Sequence, residues 1–224
     1  MLVTQQPVLR RFWYPVLPLD QIETAPQSFQ LLGENLVLWK DEEGDPRAAK
    51  NRCCHRSAQL SQGKIENGNL VCPYHGWAFA PSGNCVRVPQ LANQEKIPQN
   101  YRISTYPCQA RYGYAWVCLE ESAVAEIPEI TEASDPNFRC IPEFYEPWRC
   151  AGLRVMENEL DLAHPTFVHT GTFGSEENPF PDEMEITETD YGLKVNAVLG
   201  VVNPEAQQKN LKMSDSKTVR TLDI

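Results

Sequence analysis

Two short segments of the chain each place a cysteine close to a histidine, and both side chains bind metal ions. One is Cys53-x-His55 in "NRCCHRSAQLSQGK" and the other is Cys72-x2-His75 in "LVCPYHGW", with sixteen residues between them. Thiolate and imidazole ligands of this kind serve zinc or iron. Each segment supplies only two ligands, so we expect the two segments to complete one site together.

The way the ligand types are shared between the segments favours an iron–sulfur centre over zinc. Structural zinc sites usually pair cysteines at C-x2-4-C spacing and histidines at H-x3-5-H spacing, whereas each segment here carries one of each. In a Rieske 2Fe–2S centre two thiolates hold one iron and two imidazoles hold the other. A zinc-stabilised interaction module is the alternative, and it predicts colourless protein without acid-labile sulfide.

Both segments, their separation, and the glycine and tryptophan after the second histidine resemble the Rieske domain family. The resemblance covers most of residues 10–121. It implies that Cys53 and Cys72 bind the inner iron of a 2Fe–2S cluster, and that His55 and His75 bind the outer iron.

Three positions indicate which kind of Rieske centre the chain resembles. The Rieske proteins of respiratory cytochrome bc complexes carry an extra cysteine in each segment and a serine hydroxyl against a cluster sulfur. Here those positions are Ala58, Tyr74 and Trp77. Fewer hydrogen bonds to the sulfurs lower the reduction potential, so the centre resembles the oxygenase or ferredoxin type. Cys54 matches no ligand position, and we expect it to be a thiol that binds no metal.

A second set of candidate ligands lies in "MENELDLAHPTFVH", which contains Asp161, His164 and His169. Two histidines and a later carboxylate form the facial triad of non-haem iron oxygenases. A spacing of five residues puts two side chains about 140° apart on a straight helix. Pro165 disfavours helical geometry at the residue before it. We therefore expect Asp161 and His164 on the last turn of a helix and His169 just beyond it.

This motif resembles the catalytic iron motif of Rieske non-haem iron oxygenase α subunits. "GNCVRVPQ" at 83–90 and the segment 97–121 are most similar to the group that contains pheophorbide a oxygenase and vanillate demethylase. The resemblance implies that His164 and His169 bind a mononuclear Fe(II) that activates O2. It also implies that Asp161 is a catalytic residue linking the two metal centres across the subunits of a homotrimer. A solvated or capping aspartate is the alternative for Asp161.

The third iron ligand of this family is an aspartate on a late helix, and the chain ends 55 residues after His169. Asp215 and Asp223 are nominal candidates, but their surroundings do not resemble that helix, and neither is assigned. We expect a C-terminally truncated or split form of a longer oxygenase, which holds the cluster but turns over poorly alone. The alternative is a Rieske ferredoxin-like electron carrier with a vestigial, inactive catalytic half.

The elements that position these residues are predicted from short apolar or alternating runs broken by turns. Runs such as "NLVLWK", "WAFA" and "GYAWVCL" predict a mainly β domain over residues 8–121, an antiparallel β sandwich that presents the 2Fe–2S loops. Residues 122–147 are acidic and proline-rich, which predicts a linker. The pattern of residues 148–224 predicts a helix followed by strands. By resemblance to the oxygenase family, this segment is the start of an α+β catalytic domain.

Composition narrows the remaining classes of function. The net charge of −10 argues against nucleic acid as a partner. No apolar run approaches the ~18 residues of a membrane span, and the first residues lack the apolar region of a secretory signal, so we expect a cytoplasmic protein. Eight cysteines are then more typical of ligands and buried thiols than of disulfides. The expected partners are a ferredoxin or flavin/ferredoxin reductase and a small aromatic or cyclic substrate.

Overall fold

The chain forms two compact units, Met1–Tyr145 and Glu146–Ile224. They are seen in a computed structural model that describes residues 5–91, 96–139, 145–146, 148–170, 172, 174, 176–177, 179–189, 192–203, 205, 208–209 and 217–223. Within these residues, no helix has the length and apolar character needed to cross a membrane. All seven cysteines among them are free thiols.

Three antiparallel sheets build the described part of the first unit. Their orders are β1-β11-β10, β2-β3-β4-β9 and β5-β6-β7-β8. This arrangement confirms the predicted mainly antiparallel β fold. The strands are β1 (Tyr14–Pro18), β2 (Gln27–Leu31), β3 (Glu34–Lys40), β4 (Pro46–Lys50), β5 (Lys64–Glu66), β6 (Asn69–Val71), β7 (Ala78–Phe79), β8 (Cys85–Arg87), β9 (Thr105–Tyr106), β10 (Cys108–Arg111) and β11 (Tyr114–Val117).

Strand β3 lies between two hydrophobic cores. Its side chains alternate in direction, as in any strand, so Val37 and Trp39 enter one core while Leu36 and Leu38 enter the other. The first core also contains both predicted cysteine ligands, and the second contains residues of β1 and β11. A strand covered on both faces needs no polar alternation, which explains the continuous apolar run of β3.

The turn after β3 is fixed against the turn between β5 and β6. The indole of Trp39 donates a hydrogen bond to the carbonyl oxygen of Gly68 at 3.0 Å. Gly68 has a φ of +69°, and a Cβ there would lie 2.3 Å from the backbone nitrogen of Glu42. Only glycine accommodates both the left-handed backbone and the close approach. This contact ties the central sheet to the sheet that carries the second cysteine–histidine segment.

The second unit contains helices α1 (Gly152–Leu160) and α2 (His164–Val168) and the antiparallel sheet β12-β13-β14. Its strands are β12 (Glu183–Thr189), β13 (Gly192–Val202) and β14 (Lys217–Asp223). Alternate residues Val195, Ala197 and Val201 of β13 are buried. In contrast, every residue of β12 is exposed and α1 buries no residue. The described part of this unit therefore has a small core, as its length predicts.

The acidic segment 122–147 is mostly exposed where it is described. Ile127 is an exception, because only 3% of it is exposed. The hydroxyl of Tyr112 accepts a hydrogen bond from the backbone N–H of Ile130 at 2.8 Å and donates one to the carbonyl oxygen of Pro128 at 3.0 Å. The start of this segment thus packs on the first unit. Its predicted role as a linker, with the bounds 8–121, 122–147 and 148–224, stays a prediction.

Candidate metal centres

The first cysteine–histidine segment forms a tight loop between β4 and β5. The backbone N–H of Cys53 donates to the carbonyl oxygen of Ala58 at 2.9 Å, and the carbonyl oxygen of Cys53 accepts from the N–H of Ser57 at 3.0 Å. Ser57 has a φ of +59°, which is uncommon for a non-glycine residue. Its hydroxyl oxygen accepts a hydrogen bond from Nε of Arg52 at 2.9 Å, which holds the loop closed.

The second segment forms a loop between β6 and β7 with the same hydrogen-bond pattern. The N–H of Cys72 donates to the carbonyl oxygen of Trp77 at 2.8 Å, and its carbonyl oxygen accepts from the N–H of Gly76 at 3.1 Å. Gly76 has a φ of +71°, and a Cβ there would lie 3.3 Å from Cγ of Pro89. In both loops the cysteine bonds to the fifth residue after it, and the fourth is left-handed. The loops are therefore matched supports for a pair of ligands.

These loops bring the four predicted cluster ligands together. Cys53 and Cys72 are each 3% exposed and lie in the same hydrophobic core, and the Cys72 thiol contributes to the raised pKa of Cys53. His55 is exposed and His75 is half-buried. Their ring centroids lie 4.8 Å apart, with the planes tilted by 56°. The result is a buried thiol pair and a more exposed imidazole pair, which is the division of ligands that a Rieske cluster requires.

The chemistry of these side chains fits such a cluster. Nδ1 of His75 is buried and has no hydrogen-bond partner among the described residues, and a bound iron would satisfy it. Desolvation, together with nearby His75 and Arg56, lowers the pKa of His55 and so favours the neutral ligand form. Burial raises the pKa of Cys53 to about 12. A metal must therefore displace the thiol proton as it binds.

Aromatic and amide side chains lie beside the imidazole pair, and of these only Trp77 belongs to the sequence motif. The indole of Trp77 is parallel to the His55 ring at a centroid distance of 4.5 Å. Tyr101 stacks on Trp77 at 4.8 Å. Gln90 accepts a hydrogen bond from the indole N–H of Trp77 and donates one to the carbonyl oxygen of His75. These residues are separated along the chain, so only the fold shows that they meet.

The second candidate centre lies where α1 ends and α2 begins. The expectation that Asp161 and His164 share the last turn of one helix is wrong. Helix α1 ends at Leu160, Asp161 is its C-cap, and His164 is the first residue of α2. Pro165 starts the second helix rather than ending the first, because the first turn of a helix tolerates a residue without an N–H group. His169 is the C-cap of α2.

The two histidines of this centre are close together. Their ring centroids lie 5.5 Å apart in an edge-on arrangement. Oδ1 of Asp161 accepts hydrogen bonds from the backbone N–H groups of Ala163 at 3.0 Å and His164 at 3.3 Å. Nδ1 of His164 lies 2.5 Å from the carbonyl oxygen of Asp161. If Nδ1 donates that bond, Nε2 of His164 is left as the metal ligand.

The chain after His169 folds back to hold that residue. The carbonyl oxygen of His169 accepts hydrogen bonds from the backbone N–H groups of Thr172 at 3.0 Å and Gly174 at 3.1 Å. It also accepts one from the Thr172 hydroxyl at 2.7 Å. A Cβ on Gly174 would lie 1.9 Å from the carbonyl oxygen of Pro165. Glycine at this position therefore permits the close return of the chain.

A third ligand is not found in the part of the chain that the structure describes. Within those residues no three histidine, cysteine, aspartate or glutamate side chains converge on one metal ion. Asp215 lies outside the described residues, and Asp223 is the last residue of strand β14. Neither lies on a described helix, so neither is assigned as the third ligand. The set Cys53, His55, Cys72, His75, His164 and His169 stays a prediction, as does the catalytic role of Asp161.

Two family models match the chain, one in each unit. The model of the Rieske [2Fe-2S] domain matches residues 12–107. The model of the vanillate O-demethylase oxygenase C-terminal domain matches residues 148–221. The chain belongs to the Rieske oxygenase family. The predicted family is therefore confirmed, including its likeness to the vanillate demethylase group.

Relatives within the Rieske oxygenase family are longer than this chain. Methylxanthine N1-demethylase NdmA of Pseudomonas putida is 37% identical over 77% of this chain and 51% of its own length. Chlorophyllide a oxygenase of Chlamydomonas reinhardtii is 35% identical over 74% of this chain and 25% of its own. A solved structure of Pseudomonas putida NdmA with caffeine superposes with a TM-score of 0.76 and 30% identity, covering 97% of this chain and 64% of that one. The chain thus spans about half the length of NdmA.

Proposed function

We propose that this chain is the part of a Rieske non-haem iron oxygenase that carries the 2Fe–2S cluster and two ligands of the catalytic iron. The observation that carries the proposal is the buried thiol pair of Cys53 and Cys72 beside the imidazole pair, in which Nδ1 of His75 has no partner among the described residues. The histidine pair of the second unit supports it.

In the first unit, Cys53 and Cys72 would hold the inner iron away from water, while His55 and His75 hold the outer iron near the surface. Thiolates bound to a cluster are protected by burial, and exposed imidazoles shorten the distance to an electron donor. The proposed donor is a ferredoxin or a flavin/ferredoxin reductase. When bound, the cluster supplies single electrons and the mononuclear iron supplies the activation of O2.

In the second unit, His164 and His169 would hold the mononuclear iron, with open positions for O2 and substrate. The turn made by Asp161 orients His164 through its carbonyl oxygen and through two backbone N–H groups bonded to its carboxylate. By resemblance to the family, the Asp161 carboxylate also accepts a hydrogen bond from the partner subunit's His75. A homotrimer of the full-length form would provide that contact, and light scattering of that form should then give three times the mass of one full-length chain.

The proposed substrate class is a small aromatic or cyclic organic molecule, which the enzyme hydroxylates, demethylates or opens. Its support is the names of two relatives, a methylxanthine demethylase and a chlorophyllide a oxygenase. Methylxanthines and chlorophyllides are flat compounds with conjugated rings. A cytoplasmic location stays a prediction. The relatives include a bacterial protein and a chloroplast protein, so they do not decide it.

The proposal is tested with single substitutions that each disrupt only one of the two proposed metal centres. Protein prepared anaerobically should contain acid-labile sulfide and, once reduced, give a rhombic low-temperature EPR signal. It should also bind one further ferrous ion. Cys72→Ser should remove the EPR signal, whereas His169→Ala should remove the ferrous-ion binding and leave the EPR signal unchanged.

Two outcomes would contradict the proposal in different ways. Colourless, zinc-containing protein would exclude the cluster and with it the electron route. A cluster with wild-type ferrous-ion binding in the His169→Ala variant would place the second metal elsewhere, leaving an electron carrier. Reduction by a ferredoxin–reductase pair, followed by O2 uptake that depends on an added aromatic substrate, would extend the test to activity.

A further inference from the structure

Gln90 connects the two imidazoles of the cluster site without contacting either ring. Its Oε1 accepts a hydrogen bond from Nε1 of Trp77 at 3.2 Å, and its Nε2 donates one to the carbonyl oxygen of His75 at 3.0 Å. One side chain thus bonds to the aromatic residue stacked on His55 and to the backbone of His75. Both bonds cross between chain segments, because Gln90 lies thirteen residues beyond Trp77 and fifteen beyond His75.

The stack between Trp77 and His55 gives the first of these bonds its importance. The two rings are parallel, with an interplanar angle of 0° and a centroid distance of 4.5 Å. Trp77 is only 6% exposed, and His55 is exposed. The buried indole of Trp77 therefore supports the exposed imidazole of His55 by stacking on it. A hydrogen bond to Nε1 fixes the rotation of the indole within its own plane, and so fixes the surface that His55 meets.

The second bond acts on the other imidazole through the backbone. The peptide between His75 and Gly76 already has one hydrogen bond, from the Gly76 N–H to the Cys72 carbonyl oxygen at 3.1 Å. Pro89, directly before Gln90, already packs on this turn, since a Cβ on Gly76 would lie 3.3 Å from its Cγ. The amide of Gln90 adds a directional contact to the His75 carbonyl oxygen. The peptide that sets the direction of the His75 side chain is thereby held.

The amide group suits both contacts at once. The indole N–H is a donor only and the carbonyl oxygen is an acceptor only, so the residue between them must present one acceptor and one donor. Glutamine does so in a single orientation of its amide, the one seen here. Glutamate would keep the acceptor and lose the donor, and methionine would keep the length and lose both.

We propose that Gln90 is a positioning residue that fixes the relative orientation of the His55 and His75 imidazoles. The proposal rests on the proposed 2Fe–2S function, because the orientation matters through the outer iron. The ring planes, tilted by 56° with centroids 4.8 Å apart, are the geometry it maintains. Without Gln90, the two imidazoles would sample a wider range of orientations, and each cluster in the population would differ slightly from the next.

The test compares Gln90→Met with Gln99→Met, a control at another exposed glutamine of the same unit. In the reduced, cluster-loaded full chain, Gln90→Met should broaden the rhombic EPR lines and shift the midpoint potential, while Gln99→Met should match the wild type. Hydrogen exchange at the Trp77 indole should become about fivefold faster, as expected for the loss of one ordinary hydrogen bond. The variant Gln90→Glu should show smaller changes than Gln90→Met.

The outcomes separate this inference from the proposed function. A wild-type chain without a rhombic signal would overturn the 2Fe–2S proposal itself. A wild-type signal that Gln90→Met leaves unchanged in line width and potential would overturn only the role of Gln90. If Gln90→Met fails to load the cluster, the EPR line widths of Gln90→Glu test the role of Gln90 instead. Broadened lines in that variant would support the role, and lines identical to the wild type would overturn it.

Discussion

Cys53 lies next to Cys54 in the chain, yet the two thiols have different surroundings. Cys53 is 3% exposed and starts the loop that closes on Ala58, whereas Cys54 is exposed. The backbone hydrogen bonds of Cys53 to Ala58 and Ser57 hold its loop, and its side chain lies in the same core as the thiol of Cys72. Adjacent residues of one loop cannot both point into the core, so the fold selects one ligand from the Cys-Cys pair.

Because Cys53 and Cys54 differ in this way, substituting each of them separately tests which one is a cluster ligand. Cys53→Ser should lose the visible absorbance together with nearly all iron and acid-labile sulfide, because one iron loses half of its protein ligands. Cys54→Ser should retain all three. Iron and sulfide per chain and the visible spectrum measure the effect. Loss of colour in Cys54→Ser with colour retained in Cys53→Ser would reverse the assignment.

Gly174 is the residue on which the position of His169 depends. Gly174→Ala places a methyl group 1.9 Å from the Pro165 carbonyl oxygen, so the segment that bonds to the His169 carbonyl oxygen must move. Losing such a supporting contact typically weakens metal binding by about 10-fold or more. We expect that loss in a ferrous-ion titration.

Gly152→Ala is the matched control for this variant. A Cβ on Gly152 meets nothing within 4 Å, and the residue lies in the first turn of α1. Its ferrous-ion affinity should equal that of the wild type. Equal affinity in Gly174→Ala would show that the return of the chain after His169 does not position the ligand.

The turn between β3 and β4 precedes β4, the strand that leads the chain into the first cysteine–histidine loop. Asp41, with only 1% of its side chain exposed, bonds to Nε of Arg47 at 2.5 Å and accepts the backbone N–H of Asp45 at 2.9 Å. Asp45 also pairs with Arg47, at 3.6 Å, but its side chain is 66% exposed. One arginine thus has a buried and an exposed partner within a single turn.

We expect these two aspartates to differ in their effect on stability. Asp41→Ala leaves Arg47 without its buried partner and should lower the free energy of unfolding by about 2–3 kcal/mol, the lower end for a buried pair because Arg47 is partly exposed. Asp45→Ala removes a surface pair and should cost less than about 1 kcal/mol. Urea denaturation of both variants measures this. Equal losses would mean that burial does not distinguish the two pairs.

Elements with a clear hydrophobic pattern could be predicted from the sequence, and breaks within them could not. "NLVLWK" became β3, and its lack of polar alternation is explained by the two cores that it separates. One helix was predicted to end with Asp161 and His164 on its last turn, but there are two helices, one ending at Leu160 and one beginning at His164. Apolar spacing does not show whether a proline ends a helix or begins the next one.

The same limit applies to the candidate centres. The six proposed metal ligands could be predicted from the sequence because cysteine and histidine at short spacing have a chemical meaning on their own. Gln90 and Tyr101 have no such meaning in the sequence, because their role depends on their contacts with Trp77, which stacks on His55. Supporting residues of this kind need the fold before they can be recognised.

At the scale of the whole molecule, the two candidate centres lie in different compact units. All four proposed cluster ligands belong to Met1–Tyr145, as does the hydrophobic core that contains Cys53 and Cys72. Both histidines of the proposed iron site belong to Glu146–Ile224. The two matching family models divide in the same way, since one covers residues 12–107 and the other residues 148–221.

Residues 1–145 alone should therefore fold and load the cluster. The fragment should give a rhombic EPR signal after reduction, because all four proposed cluster ligands and the hydrophobic core that contains Cys53 and Cys72 belong to it. It should bind no further ferrous ion, since His164 and His169 are absent. The same fragment with Cys72→Ser is the control for adventitious iron. A colourless fragment beside a coloured full chain would show that the second unit is needed to build the cluster site, and the two units would then have to be treated as one.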